Sequence, residues 1–167
     1  MKPMTEQNIT AAFAGESQAH MKYLAFAARA EQEGLPNAAR LFRAVAASET
    51  THAHYHLNQL QGIGSTLENL QGGYEGENFE IESMYPAFQA VAELEGEPGA
   101  AKGCHYAVEA EKNHRPLYAE ARDLVAGGRD FADTPIHVCG VCGHTGRGEA
   151  PEKCPVCGNK REGFQIF

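Results

Sequence analysis

Apolar residues recur at helical spacing along most of the chain, with few interruptions. Residues 5–33 contain no Pro and only Gly15, and Phe13, Met21, Leu24 and Ala28 fall on one helical repeat, so one long helix is expected there. Gly34-Leu35-Pro36 supplies a Gly stop followed by a Pro suited to a first helical turn, and a second helix is expected over 36–60. Residues 61–76 hold Gly62, Gly64, Gly72 and Gly73 and read as a long crossover connection. A third helix should then run to Leu94, kinked at Pro86, which removes a helical hydrogen bond. Gly96-Glu97-Pro98 repeats the earlier stop and start, and a fourth helix should reach about Val125.

The repetition extends beyond the turn. Residues 26–52 align without a gap on 88–114, and 11 of the 27 pairs are identical. Shared helical composition accounts for the matching Ala, Gly and Pro. It does not account for both copies ending in Glu-x-x-His, as Glu49-Thr50-Thr51-His52 and Glu111-Lys112-Asn113-His114. Residues three apart share a helix face, so each motif aims a carboxylate and an imidazole at one point. One such motif alone is usually a solvated helix face. Two at equivalent places in a duplicated hairpin would meet across a four-helix core, where each hairpin must supply a further Glu. Glu16 serves the first, and Glu77 or Glu80 the second, flanking the symmetric position Asn78. This is the dinuclear carboxylate arrangement of ferritin-like bundles, and its hard oxygen donors favour iron or manganese.

Composition narrows the picture further. Nineteen Glu against three Asp favour helix over loop, and the net charge of −8 leaves no broad basic surface for nucleic acid. No apolar run approaches the roughly 20 residues that would span a bilayer. The first seven residues hold no apolar signal core, so the expected location is cytoplasmic, with the five Cys as thiols or metal ligands. Residues 127–135 are rich in turn formers and read as a linker, dividing the chain into domains 1–130 and 131–167. The smaller domain carries Cys139-Gly140-Val141-Cys142 and Cys154-Pro155-Val156-Cys157, each followed by Gly. Four such thiolates make a tetrahedral site for zinc or a single iron, and spacing does not separate the two metals. Its apolar residues are few, so the metal should hold this short domain together.

These motifs, with Ala12-Phe13-Ala14-Gly15-Glu16-Ser17-Gln18-Ala19 and Met84-Tyr85-Pro86, resemble rubrerythrin over essentially the whole chain. The resemblance implies an all-α ferritin-like four-helix bundle joined to a rubredoxin-like β domain. It implies a peroxidase that reduces hydrogen peroxide to water at two irons, re-reduced through one iron on the four Cys, with zinc the alternative metal there. It assigns Glu16, Glu49, His52, Glu77, Glu80, Glu111 and His114 as di-iron ligands, with Glu49 and Glu111 bridging and Glu80 and His52 exchanging on one iron. Tyr23 and Tyr85 match tyrosines near the irons. The implied partners are an electron-donor protein, rubredoxin or an NAD(P)H-dependent reductase, and a second copy in a homodimer whose helices the linker would let exchange. No dinucleotide-binding Gly pattern after a strand occurs, so the reductase is expected to be separate. A rival reading makes the bundle a ferroxidase or iron-handling module and the tail a structural zinc knuckle. His144 stands where rubredoxin domains usually place an aromatic, and Cys104, aligned with Phe42, is expected to be a buried inert thiol.

Overall fold

The computed structural model describes residues 1–167. It divides into two compact units, Met1–Gly64 and Ser65–Phe167. The first is a hairpin of α1 (Pro3–Gln32) and α2 (Pro36–Gln59). Its contact face is built from Ala27, Ala30, Ala39, Ala46 and Ala53, all buried, whose small side chains let the helix backbones approach closely. Phe42 packs against this alanine seam and forms an aromatic group with Tyr23 and Phe26.

The second unit begins with α3 (Thr66–Phe79), a π-helical turn (Glu80–Met84) and α4 (Tyr85–Leu94), which pack against α5 (Pro98–Ala126). Two expectations are corrected here. The 61–76 segment is not a long connection, because helix resumes at Thr66. Ser65 and Glu68 form a reciprocal capping box that satisfies the first amides, which offsets the poor helix propensity of Gly72, Gly73 and Gly76. Gly73 has a packing reason: a Cβ there would lie 2.8 Å from the Tyr118 ring on α5. The other correction concerns Pro86. The chain passes through a π turn, not a simple kink, with the Tyr85 amide donating five residues back to the Glu80 carbonyl. A widened turn accommodates the missing N–H and the ring of the following proline.

The repeat is visible in the turns. Gly34 and Gly96 both have φ near +70°, at +74° and +73°. In each the residue after the Gly donates back to the buried Ala of the alignment, Leu35 to Ala30 and Glu97 to Ala92. This is the Schellman closure, and it needs the left-handed residue that only Gly adopts freely.

A three-stranded antiparallel sheet completes the second unit, in the order β2-β1-β3, with β1 (Ile136–Cys139) central between β2 (Thr145–Arg147) and β3 (Phe164–Ile166). His137 pairs with Gly146 on one side and Ile166 on the other. Gly146 is required by that pairing, since a Cβ would lie 2.6 Å from the His137 ring. The core of this small domain is Cys139, Cys142 and Cys154, covered by Val156 and Phe164 and by Tyr106 of α5.

Candidate metal centres

The four thiols converge from two tight turns. Gly143 and Gly158, at φ +77° and +75°, close the turns with amides donating to the Cys139 and Cys154 carbonyls. Cys139 Sγ lies 3.6 Å from Cys157 Sγ and Cys142 Sγ 3.5 Å from Cys154 Sγ, and all four sulfurs fall within 4.8 Å of one another. A tetrahedral ion at ~2.3 Å from each sulfur requires sulfurs ~3.8 Å apart, so the set fits a single metal. The protein already prepares one thiolate. Burial raises the Cys139 thiol, but the amides of Val141 and Cys142, the Asn159 side chain and Cys157 outweigh it and bring it down to about 6. Burial, together with the crowding of Cys154, Cys157 and Cys139, raises Cys142 instead. Sulfurs this close repel one another once ionised, and one shared cation would offset that repulsion.

The helices carry two further clusters, one in each unit. In the first, Glu16 of α1 meets Glu49 and His52 of α2. His52 Nδ1 is 2.9 Å from Glu49 Oε2 and 4.0 Å from Glu16 Oε1. In the second, Glu77 of α3 meets Glu111 and His114 of α5, with His114 Nδ1 2.5 Å from Glu111 Oε2 and 3.6 Å from Glu77 Oε1. The two clusters are the same construction, one carboxylate facing one Glu-x-x-His across a hairpin. His114 is mostly covered, whereas His52 is 52% exposed.

Charge crowding marks the second cluster as a cation site. Burial, a hydrogen bond with Glu111 and the charges of Glu111 and Glu80 push Glu77 up to about 8. Glu80 is raised by burial and by Glu111, with His114 opposing. Carboxylates this close cannot all ionise without a compensating ion, and a divalent metal would relieve them together. Glu80, on the first residue of the π turn, thus stands in the field of the cluster without belonging to its tight ligand triad. The symmetric position Asn78 takes a different part, accepting a hydrogen bond from Arg115, which also pairs with Glu82.

The two tyrosines are placed differently. Tyr85 is raised by burial, Glu80, Glu111, Cys104 and Glu77, so it lies against the second cluster as a phenol that stays protonated at neutral pH. Tyr23 stacks with Phe26 and Phe42 in the first hairpin.

Sequence reasoning passed over the residues that seat the small domain on α5. His114 Nε2 is 2.8 Å from Thr145 Oγ1, Asn113 donates to His144 Nδ1 at 3.3 Å, and Arg147 pairs with Glu120 at 2.6 Å while stacking on Phe131. His144 therefore faces the helix and is lowered by burial and by neighbouring His137 and His114. Asn113 is only a variable position of its Glu-x-x-His, Thr145 and Glu120 belong to no motif, and it is the packing of β2 against α5 that joins them.

The description "Rubrerythrin" fits residues 7–122, and "Rubrerythrin, rubredoxin-like domain" fits residues 137–165. The chain is 40% identical to rubrerythrin-2 of Clostridium acetobutylicum over 98% of its own length and 97% of that protein's. It is 35% identical to nigerythrin of Nitratidesulfovibrio vulgaris, over 98% and 86% of the two lengths. Among solved structures it is similar to partially reduced and to all-ferrous nigerythrin, each at TM-score 0.58 and 34% identity, covering 98% of this chain and 86% of that one. Two helical hairpins with paired carboxylate-histidine clusters, a four-thiol domain and these relatives together establish that the chain belongs to the rubrerythrin family.

Proposed function

We propose that the protein is a non-haem di-iron peroxidase that reduces hydrogen peroxide to water, drawing electrons through its four-Cys site. The observation that carries this reading is the duplication of a Glu–Glu–His cluster in one chain that also holds a tetrathiolate centre. The two clusters are read as the halves of one dinuclear centre, with Glu16, Glu49 and His52 from one and Glu77, Glu80, Glu111 and His114 from the other. Nigerythrin has been solved in mixed-valence, partially reduced and all-ferrous states, and this supports redox-active iron at the equivalent residues here.

Bound there, iron would supply the two electrons that, with two protons, convert one peroxide into two waters. The residues of the chain prepare that chemistry. Glu49 and Glu111, each three residues before a histidine on its helix, would be among the carboxylates that hold that iron. Glu77 and Glu80 hold protons readily in this crowded setting, and Tyr85 keeps a donor O–H beside them. Tyr23, packed on the aromatic group, is assigned a supporting place near Glu16 on the same helix.

The remaining components follow from the same reading. Electrons come from a separate protein, rubredoxin or an NAD(P)H-dependent reductase. A homodimer, with exchange of helices between copies, is supported by the open side of His52 and by the exposure of Phe26, Leu41, Phe79 and Phe88 on the hairpins. No helix is long and apolar enough to cross a membrane, and the assigned location is the cytoplasm. The test is metal analysis with a peroxide assay. About three irons per chain, a red oxidised form that bleaches on reduction, and peroxide-dependent re-oxidation are expected. A colourless protein with zinc on the four Cys and no peroxide consumption would refute the reading.

A further inference from the structure

We propose that Thr145 is a positioning residue for His114, holding its ring with a proton on Nε2 so that Nδ1 is the atom presented to a metal at Glu77 and Glu111. The inference rests on the dinuclear reading above and concerns how the small domain completes one half of it.

A single hydrogen decides the tautomer. Thr145 Oγ1 is 2.8 Å from the Gly143 carbonyl and 2.8 Å from His114 Nε2. A carbonyl oxygen only accepts, so the hydroxyl hydrogen must go to Gly143. If it went to His114 instead, two oxygen lone pairs would face each other at 2.8 Å. The hydroxyl oxygen is then an acceptor towards the ring, and Nε2 must carry the proton. Nδ1 is left as the atom facing the carboxylates of Glu111 and Glu77, where the structure places it at 2.5 and 3.6 Å.

The surroundings fix this choice. Thr145 is buried, and its strand is held on α5 by Asn113–His144 before it and Arg147–Glu120 after it. The bond also borders a cavity of about 360 Å³ that is otherwise walled by Leu70, Leu117, Tyr118, Ala121, Phe131 and Ile136. Gly143 follows Cys142 directly, so the same hydroxyl also ties the first Cys turn to the helical cluster. A histidine ligand whose distal nitrogen is held by an oxygen acceptor gains both orientation and basicity, and loss of that partner typically weakens metal binding about 10–100-fold.

The test uses the full-length protein, labelled with 15N-histidine and loaded with Zn(II), which is diamagnetic. In the unsubstituted protein the His114 resonances should show coordination through Nδ1 and a slowly exchanging Nε2–H. Coordination through Nε2 would overturn the proposal without any variant being made. Thr145→Val, close to isosteric, should lose the slow exchange and bind zinc at the helical clusters about tenfold more weakly, while Thr145→Ser should stay within about twofold of the parent. The four-Cys site should load normally in both, as judged by the visible spectrum of its iron form. Thr145→Val affinity within twofold of the parent would overturn the proposal, and Thr145→Ala serves as the hydroxyl deletion if the Val variant does not fold. Should the unsubstituted protein bind no zinc beyond the four Cys, the dinuclear reading itself would fall, and this inference with it.

Discussion

Glu77 offers the sharpest quantitative test of the helical cluster. In the metal-free cluster it is pushed from the ordinary carboxylate value of 4.5 up to about 8 by burial, Glu111 and Glu80. The folded state thus binds a proton more tightly than the unfolded chain. Glu77 consequently favours folding most below pH 4.5, and that contribution is lost as pH rises towards 8. At 1.36 kcal/mol per pH unit the interval from 4.5 to 8 sets a ceiling of about 5 kcal/mol. The Glu77 side chain is 16% exposed, so water screens part of this. A working figure is roughly 2 kcal/mol, and Glu77→Gln, which cannot ionise, should remove it. Urea unfolding followed by helical circular dichroism, with metal stripped from the helical clusters and kept on the four Cys, should show parent stability falling between pH 5.5 and 8.5 by roughly 2 kcal/mol more than that of Glu77→Gln. At pH 7 a carboxyl titrating near 8 is protonated by about ten to one, so a divalent metal must displace that proton. Calorimetry in buffers of different ionisation enthalpy should detect about one fewer proton released per cluster in the variant. Parallel pH profiles, together with equal proton release, would refute the picture of crowded carboxylates awaiting a cation.

Other substitutions probe separate parts of the molecule. Glu49→Ala or Glu111→Ala should reduce peroxide turnover to background while leaving the helical circular dichroism intact, and retained turnover in both would refute the assigned centre. Cys139→Ser removes the thiol most easily ionised, so the small domain should lose its metal, its visible absorption and its proteolytic resistance, whereas the 1–64 hairpin should keep its helix. Gly73→Ala drives a Cβ to 2.8 Å from the Tyr118 ring and should cost about 1–3 kcal/mol by thermal unfolding, with Tyr118→Ala in the same chain relieving the clash.

Much of this protein could be read from local pattern. Helix positions follow from apolar spacing and from Gly and Pro punctuation, which act through backbone geometry within a few residues. The two Glu-x-x-His motifs and the two Cys-x-x-Cys motifs are equally local, since a helical face or a tight turn sets their ligand geometry without help from distant chain. The repeat extended that reading to Glu16 and to Glu77 or Glu80, and the resemblance took in both of the latter. Local reading failed where two local preferences competed. Four glycines in 61–76 argued for a loop, but the Ser65–Glu68 cap and the Tyr118 ring lying against Gly73 decided for helix from Thr66. Pro86 argued for a kink, and the chain met its missing donor with a π turn that begins at Glu80. The sequence alone therefore determined which side chains could bind metal and on which helices they sit. Folding decided their protonation and their supports: Glu77 is raised because it is buried with Glu111 and Glu80 beside it, and His114 is oriented because Thr145, 31 residues away, lies against it. Ligand identity is a property of spacing along one element, whereas a carboxylate's charge and an imidazole's tautomer depend on what a second element places within hydrogen-bonding distance.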